Sequence, residues 1–140
     1  MPLSVGDMFL GSYTPSFDLK SRRIALPKKI RELLATNNIV LSLGFEKCIF
    51  GFDSLEWEKE SRNHLREPIT ESRSRDIRRF LFSAAELLSL DDQGRFVIPV
   101  HLLEYAKIES PVVIGAGDHF EIWQTTNWQE HKQKLERVSL

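Results

Sequence analysis

The sequence predicts an α+β fold made of two tandem copies of one unit. Two segments, Asp18–Pro27 and Asp91–Pro99, follow the same plan: an aspartate, a polar turn ending in arginine, an apolar triplet and a proline. Each copy then continues through strand-like runs to a tryptophan, Trp57 in the first and Trp128 in the second. The offset between copies falls from 73 residues at the aspartates to 72 at the prolines and 71 at the tryptophans. Changes of one residue at a time indicate small insertions in the turns of a duplicated unit.

The first copy predicts four strands and two helices. Short β-prone runs around a polar turn predict paired strands. An apolar stripe of Ile30, Leu33 and Leu34 predicts a helix, and Asp53, three residues before Glu56, predicts a capped helix start. The predicted strands are Tyr13–Phe17, Ile24–Leu26, Ile39–Gly44 and Cys48–Phe52, and the predicted helices are Lys28–Leu34, with Pro27 at its first position, and a longer one from Asp53 to about Leu65.

The second copy repeats this order after a connecting helix. Strands are expected near Leu87–Leu90, Phe96–Ile98, Val112–Ile114 and His119–Trp123, with helices from Pro99 through Tyr105 and over roughly 127–138. Thr126 and Gln129 have the spacing of a capping pair for the last helix. Apolar residues in helical register within Pro68–Phe82 predict a helix that packs on the core. The expected organisation is a first repeat over 8–67, a connecting helix over 68–82 and a second repeat over 83–140.

Each copy has only about 70 residues, near the lower limit for independent folding, so the copies are expected to share a core. No apolar run approaches the roughly 18 residues of a membrane helix, so no membrane partner is expected. The only cysteine, Cys48, excludes an intramolecular disulfide and suits a reducing cytoplasm. We interpret Cys48 as a small buried strand residue and not as a nucleophile.

Basic residues are concentrated in the first copy although the chain as a whole has a formal net charge of −1. Six basic residues and one acid lie between Asp18 and Arg31, while many acids lie in the helices around Glu56–Glu60 and in the tail. One interpretation is a cationic face for nucleic acid, since the distribution of charge matters more than its sum. The other is a solvated turn and an exposed helix face.

The sequence lacks the patterns of a catalytic or metal site. The histidines at positions 64, 101, 119 and 131 are scattered without ligands at short fixed spacings. Phosphate loops, nucleophile elbows and dinucleotide fingerprints are missing, and Gly115-Ala-Gly117 fits a hairpin turn better than a cofactor loop. We therefore expect a protein that is not an enzyme, has no cofactor or metal, and takes no small-molecule substrate.

The repeated motif resembles the MraZ family of tandem SpoVT–AbrB-type domains. The resemblance rests on the two Asp-to-Pro turns and on segments similar to the family's N-terminus, its first helix and its C-terminal signature: Met8–Gly11, Pro27–Leu33, and Phe120–Trp123 with Trp128. It implies a swapped-hairpin β-barrel with flanking helices, formed by both AbrB-like repeats. It also implies a DNA-binding transcriptional regulator of the bacterial division and cell-wall gene cluster that assembles as a ring.

Carried onto this chain, the resemblance assigns DNA contact to Lys20, Arg22, Arg23 and Arg95, with Asp18 and Asp91 supporting the turns. An arginine at a tight turn can pair with phosphate or bind guanine edges in a bidentate manner. The first turn has an extra residue, since Arg22 keeps the four-residue step from Asp18 and Arg23 keeps the four-residue step to Pro27. Ser21 replaces the usual turn glycine, and Gln93 replaces a frequent lysine.

The expected partners are double-stranded DNA and further copies of the same chain, in the cytoplasm and at the nucleoid. A ring that presents its turns to repeated short sites would compensate for few contacts per subunit, because later contacts become intramolecular. Two alternatives stay open: an antitoxin-like AbrB-type regulator, and an oligomeric protein-interaction module whose basic face binds an acidic protein.

Overall fold

The structure is a computed structural model that describes residues 4–138. These residues form an α+β fold with two antiparallel sheets and five α-helices, preceded by a short 3-10 turn. In chain order the elements are β1 (Ser12–Tyr13), β2 (Ser16–Asp18), β3 (Arg23–Ala25), α1 (Lys28–Arg31), β4 (Asn38–Leu43), β5 (Ile49–Asp53), α2 (Ser54–Arg66), α3 (Ser72–Ser83), β6 (Glu86–Ser89), β7 (Arg95–Val97), α4 (Val100–Ala106), β8 (Pro111–Gly115), β9 (Phe120–Gln124) and α5 (Thr125–Arg137).

The larger sheet contains strands of both copies in the order β1-β8-β9-β5-β4-β6. Its centre is the pairing of β5 with β9, where Gly51 lies opposite Phe120. The Phe120 ring occupies the space that a side chain at position 51 would need, which requires glycine there. The short edge strands cross between copies, since β1 pairs with β8 and β6 pairs with β4.

The smaller sheet has the order β2-β3-β7, so that it also contains strands of both copies. Strand β3 pairs with β7, and Ile24 lies opposite Phe96 at the centre of this pairing. One hydrophobic core includes buried residues of both sheets and of α1 and α4, for example Ile24, Ile122, Ile30 and Leu102. Two copies that share one core in this way satisfy the expectation drawn from their small size. Both sheets are open within residues 4–138, and neither closes into a barrel.

The predicted strand Tyr13–Phe17 is wrong as a single element. It is divided at Thr14–Pro15 into β1 in the larger sheet and β2 in the smaller one. Pro15 has no backbone N–H for a sheet ladder, so a break there is favoured. The strands on either side of the break therefore belong to different sheets.

The predicted proline-led helices begin one residue later than expected. Pro27 and Pro99 have extended ψ angles of 144° and 138° and precede the first helical residues of α1 and α4. Helix α1 ends at Arg31, short of the predicted Leu34, because the chain continues in tighter turns in which Leu33 N donates to Ile30 O. Helix α3 lies in the segment predicted to be a connecting helix, but it begins at Ser72 and not at Pro68, and it packs against α2 and β4.

The two long helices that follow the hairpins begin differently. Asp53 caps α2 as predicted, because its carboxylate accepts a bond of 3.0 Å from Leu55 N. The predicted Thr126–Gln129 capping pair is wrong, since α5 begins at Thr125 and has no side-chain cap. Gln124 instead accepts bonds from the amides of Glu109 and Ser110, so its side chain fixes the loop before β8.

Within residues 4–138, no helix combines the length and the apolar character needed to cross a membrane.

Asp53 is expected to be a main contributor to the stability of the first copy. The residue is only 5% exposed, and besides capping α2 it accepts two bonds of 2.9 Å from the amide and hydroxyl of Thr36. Asp53→Ala removes the α2 cap and leaves the part-buried amide of Thr36 without its partner, so it should lower the free energy of unfolding by about 2–3 kcal/mol. Asp53→Asn keeps one side-chain oxygen, which can serve either the cap or Thr36 but not both, so it should lose less stability than Asp53→Ala. A loss below about 0.5 kcal/mol in urea unfolding of Asp53→Ala would contradict this role.

Candidate nucleic-acid interface

The side of the three-stranded sheet that faces away from the core carries two arginines. Side chains alternate along a strand, and the register places Phe17, Ile24 and Phe96 on the core side. The opposite side, which we call the outer face, consists of Ser16, Asp18, Arg23, Ala25, Arg95 and Val97. Arg23 and Val97 are exposed and Arg95 is half-buried. The fold therefore brings an arginine from each copy onto one solvent-facing surface.

The distance between these two arginines follows from strand pairing. Arg95 lies opposite Ala25, and Arg23 lies opposite Val97. Arg23 and Arg95 are thus diagonal neighbours on adjacent antiparallel strands, whose backbone positions lie about 7–8 Å apart. Two guanidinium groups on stems this close can reach neighbouring groups of a single ligand.

Two backbone hydrogen bonds decide which arginine of the first turn matches Arg95. Leu26 N donates to Gly94 O at 3.0 Å, and Ile98 N donates to Arg22 O at 2.9 Å. In each bond, the residue before the proline of one copy donates to a turn residue of the other copy. Leu26 and Ile98 are equivalent donors, so their acceptors, Gly94 and Arg22, are equivalent too. Both have left-handed φ angles, 61° for Arg22 and 73° for Gly94. Arg23 is therefore the structural counterpart of Arg95, and each begins its strand.

The side chain of Arg22 is tied to the protein. Its Nε donates to Ile98 O at 3.0 Å, and the residue is half-buried. Arg22 therefore connects the first turn to the end of β7 through both its backbone and its side chain. The assignment of Ser21 to the position of the turn glycine is therefore wrong: Arg22 has the left-handed φ angle that Gly94 has in the second turn, and the one-residue insertion concealed this in the sequence.

The second turn holds its arginine with an aspartate. The carboxylate of Asp91 accepts bonds from Gln93 N at 2.9 Å, from Arg95 N at 2.8 Å and from Arg95 Nε at 2.7 Å. Donation by the Arg95 amide, and then by its side chain, lowers the pKa of Asp91 below its ordinary value. The side chain of Arg31 lies over Gly94, so that a larger residue would not fit there. The turn is thus held from both sides.

In the first turn the aspartate binds a serine and not the arginine. Asp18 accepts a bond of 3.0 Å from Ser21 N, and Ser21 Oγ in turn accepts a bond of 3.3 Å from Arg23 N. Bonds from the hydroxyl and amide of Ser21 lower the pKa of Asp18. Neither Lys20 nor the guanidinium of Arg23 has a hydrogen-bond or ion-pair partner among residues 4–138, and both residues are exposed.

Three of the four arginines of α3, a second basic segment, bind groups nearby, whereas Arg73 is exposed. Arg75 donates to Ile69 O, and Arg79 pairs with Asp76 at 3.3 Å. Arg78 donates to Leu65 O in the last turn of α2 and to Glu67 O just after it. Arg78 thereby fastens the connection between α2 and α3. This segment is a weaker candidate for nucleic acid than the outer face.

One polar cluster was missed by the sequence analysis. His119 contacts Asp118 and Glu121 at 2.9 Å each, and Glu121 also accepts a bond from Trp123 Nε1. Burial alone would lower the pKa of His119, but its bonds to Glu121 and Asp118 raise it above the ordinary value. The alternation Glu121-x-Trp123 beside His119 was the signal, since such residues share a strand face. No group in the described part of the chain has three ligands suited to a metal ion.

Cys48 is fully buried, as predicted. Its thiol donates to Phe45 O at 3.2 Å, and burial, followed by the nearby charge of Glu121, raises the pKa of the thiol far above its ordinary value. A thiol that stays protonated is a poor nucleophile.

Comparison with known proteins identifies the family of the chain. The family model described as "MraZ protein, putative antitoxin-like" matches twice, over residues 8–80 and 81–140. The two matches agree with the duplication that the repeated turns predict.

Curated relatives extend over most of the chain. Proteins named "Transcriptional regulator MraZ" are 40% identical in Roseiflexus castenholzii, over 87% of this chain and 85% of theirs. The corresponding values are 40%, 88% and 86% for Lactiplantibacillus plantarum, and 41%, 92% and 90% for Micrococcus luteus. With two family matches and relatives of this similarity, the chain belongs to the MraZ family.

Proposed function

We propose that this protein is a transcriptional regulator that binds double-stranded DNA in a sequence-specific manner through the outer face. The observation that carries the proposal is the placement of Arg23 and Arg95 on one exposed surface by the pairing of β3 with β7. The names of the curated relatives support a role in transcription. Arginine binds phosphate and guanine edges with a planar pair of donors, which suits this role.

The outer face has a shape and a charge that suit a DNA groove. β-Strands can enter the major groove, and β3 and β7 are adjacent strands of the three-stranded sheet, with a turn at each end of their pairing. Asp18, on the outer face, and Asp91, in the turn before β7, both accept hydrogen bonds from their own turns. Lys20 adds an exposed cation at the tip of the first turn, and Arg22 adds charge beside it.

Each subunit offers few contacts, so affinity is proposed to come from a ring-like homo-oligomer that engages repeated short sites. On the basis of the family resemblance, we propose that these sites lie in the division and cell-wall gene cluster and that the protein acts in the cytoplasm, at the nucleoid. The exchange of β1 and β6 between copies supports a swapped-hairpin arrangement, with repeats over 8–67 and 83–140 and a connecting segment over 68–82. We propose neither catalysis nor a cofactor.

Two other functions are distinguished by simple measurements. The family description includes the term antitoxin-like, and an antitoxin would bind a toxin protein in addition to DNA. A protein-interaction module would bind an acidic protein and would not bind duplex DNA. Affinity for duplex DNA that falls steeply with salt supports the regulator, because phosphate contacts release counterions.

Removal of both outer-face arginines should abolish specific binding without unfolding the protein. We expect the double variant Arg23→Ala, Arg95→Ala to lose about 2–5 kcal/mol of binding free energy, since each good arginine contact contributes about 1–3 kcal/mol. Fluorescence anisotropy with a duplex selected by the unaltered protein from its own genomic DNA measures this loss. Arg79→Ala, which removes an exposed arginine of α3, is the matched control.

Arg22 should behave differently from Arg23. Arg22→Gly installs the residue found at the equivalent position 94, so thermal stability should change by no more than about 1 kcal/mol. Affinity should fall to a similar extent for all sequences, because what is lost besides the bond to Ile98 O is a charge near phosphate. Selective loss of sequence preference in Arg22→Gly, with unaltered binding of the double variant, would contradict the assignment.

The number of subunits in the assembly can be measured directly. We expect light scattering to find a homo-oligomer larger than a dimer at micromolar concentration, and a duplex with several sites to bind more tightly than a duplex with one. A monomer throughout this range would contradict the multivalent mechanism.

A further inference from the structure

The two turns of the outer face hold their arginines in different ways. In the second turn the Asp91 carboxylate binds Arg95 Nε at 2.7 Å as well as the Arg95 amide. In the first turn Ser21 lies between the aspartate and the arginine, because its amide bonds to Asp18 and its hydroxyl to Arg23 N. The guanidinium of Arg23 is left without a partner among residues 4–138.

This difference affects what each arginine can recognise. An arginine held at Nε has its plane fixed and still offers the two parallel N–H groups of its outer edge, which match guanine O6 and N7. The terminal nitrogens of Arg95 form no hydrogen bond within the described residues. A free arginine such as Arg23 must lose rotamer entropy on binding, which suits a phosphate that accepts from several directions.

The two turns also differ in their balance of basic and acidic side chains. The first turn, residues 18–23, has three basic side chains and one acidic side chain. The second, residues 91–95, has one basic and two acidic side chains. A polyanion is therefore attracted to the first turn as a whole, whereas the second can contribute only through directed contacts of Arg95.

We propose that the two turns divide the contact with DNA: Arg95, held by Asp91, binds a guanine edge, while Arg23 with Lys20 and Arg22 binds the phosphate backbone. This inference rests on the proposed function and deepens it. Asp91 is then a positioning residue that determines specificity. Ser21, by engaging Asp18, prevents the first turn from holding Arg23 in the same way.

Matched lysine variants test this division, because lysine keeps the charge but has neither Nε nor a planar pair of donors. The affinities of Arg95→Lys and Arg23→Lys are measured for a duplex selected by the unaltered protein and for a scrambled duplex of the same composition, each over a range of salt. Arg95→Lys should bind the selected duplex about 10–100-fold more weakly and the scrambled duplex nearly unchanged. Arg23→Lys should keep the ratio of selected to scrambled affinity within about twofold, because any loss of a phosphate contact falls on both duplexes alike.

A second matched pair tests the positioning role of Asp91. In Asp91→Asn, the side chain can still accept from the turn amides, but it can no longer offer a carboxylate to Arg95 Nε. The ratio of selected to scrambled affinity should fall about tenfold or more, while Asp18→Asn should leave this ratio within about twofold. Thermal unfolding checks that both variants are folded.

The outcomes are distinct. If Arg23→Lys loses sequence preference, if both lysine variants lose it equally, or if neither does, the division of roles is wrong although DNA binding stands. Unchanged preference in folded Asp91→Asn would also overturn it. If the unaltered protein binds neither duplex, the proposed function itself fails and the inference fails with it.

Discussion

The pairing of β3 with β7 is the interaction on which the outer face depends. It comprises three residue pairs, extended on either side by the bonds of Leu26 N to Gly94 O and Ile98 N to Arg22 O. Strand β3 also pairs with β2 of its own copy, whereas β7 is held in this sheet through β3. Because Ile24 and Phe96 are buried at its centre, the register cannot shift by one residue without moving an arginine into the core. The same constraint that packs the core therefore also sets the positions of Arg23 and Arg95.

The duplication explains why a small chain can build such a surface. Each copy contributes a strand and the turn before it. Because the two strands are antiparallel, the turns lie at opposite ends of the short ladder. The copies have nevertheless diverged in the details of their turns. Ser21 and the extra residue of the first turn separate Asp18 from Arg23, whereas Asp91 contacts Arg95 directly. A symmetric backbone thus carries an asymmetric pair of side chains.

Much of the fold could be predicted from the sequence because the repeats have strong local signals. Asp53 was recognised as a cap, and the connecting helix was recognised from its apolar spacing. The division of Tyr13–Phe17 between two sheets could not be seen, since pairing across copies is a long-range property. The cap of α5 was misjudged because Gln124 bonds to the preceding loop instead. Residue spacing left open whether Arg22 or Arg23 is equivalent to Arg95. Backbone hydrogen bonds and φ angles identify Arg23.

The claim that the outer face meets DNA can be tested most directly by cross-linking. Val97 lies on that face, whereas Leu87 is exposed on β6 at the edge of the other sheet. Cys48 is fully buried, so a thiol-reactive photo-cross-linker should react mainly at a cysteine introduced by Val97→Cys or by Leu87→Cys. With a duplex selected by the unaltered protein, the account predicts a salt-sensitive cross-link from position 97 and little from position 87. Efficient cross-linking from position 87 with none from position 97, in folded variants that still bind DNA, would contradict it.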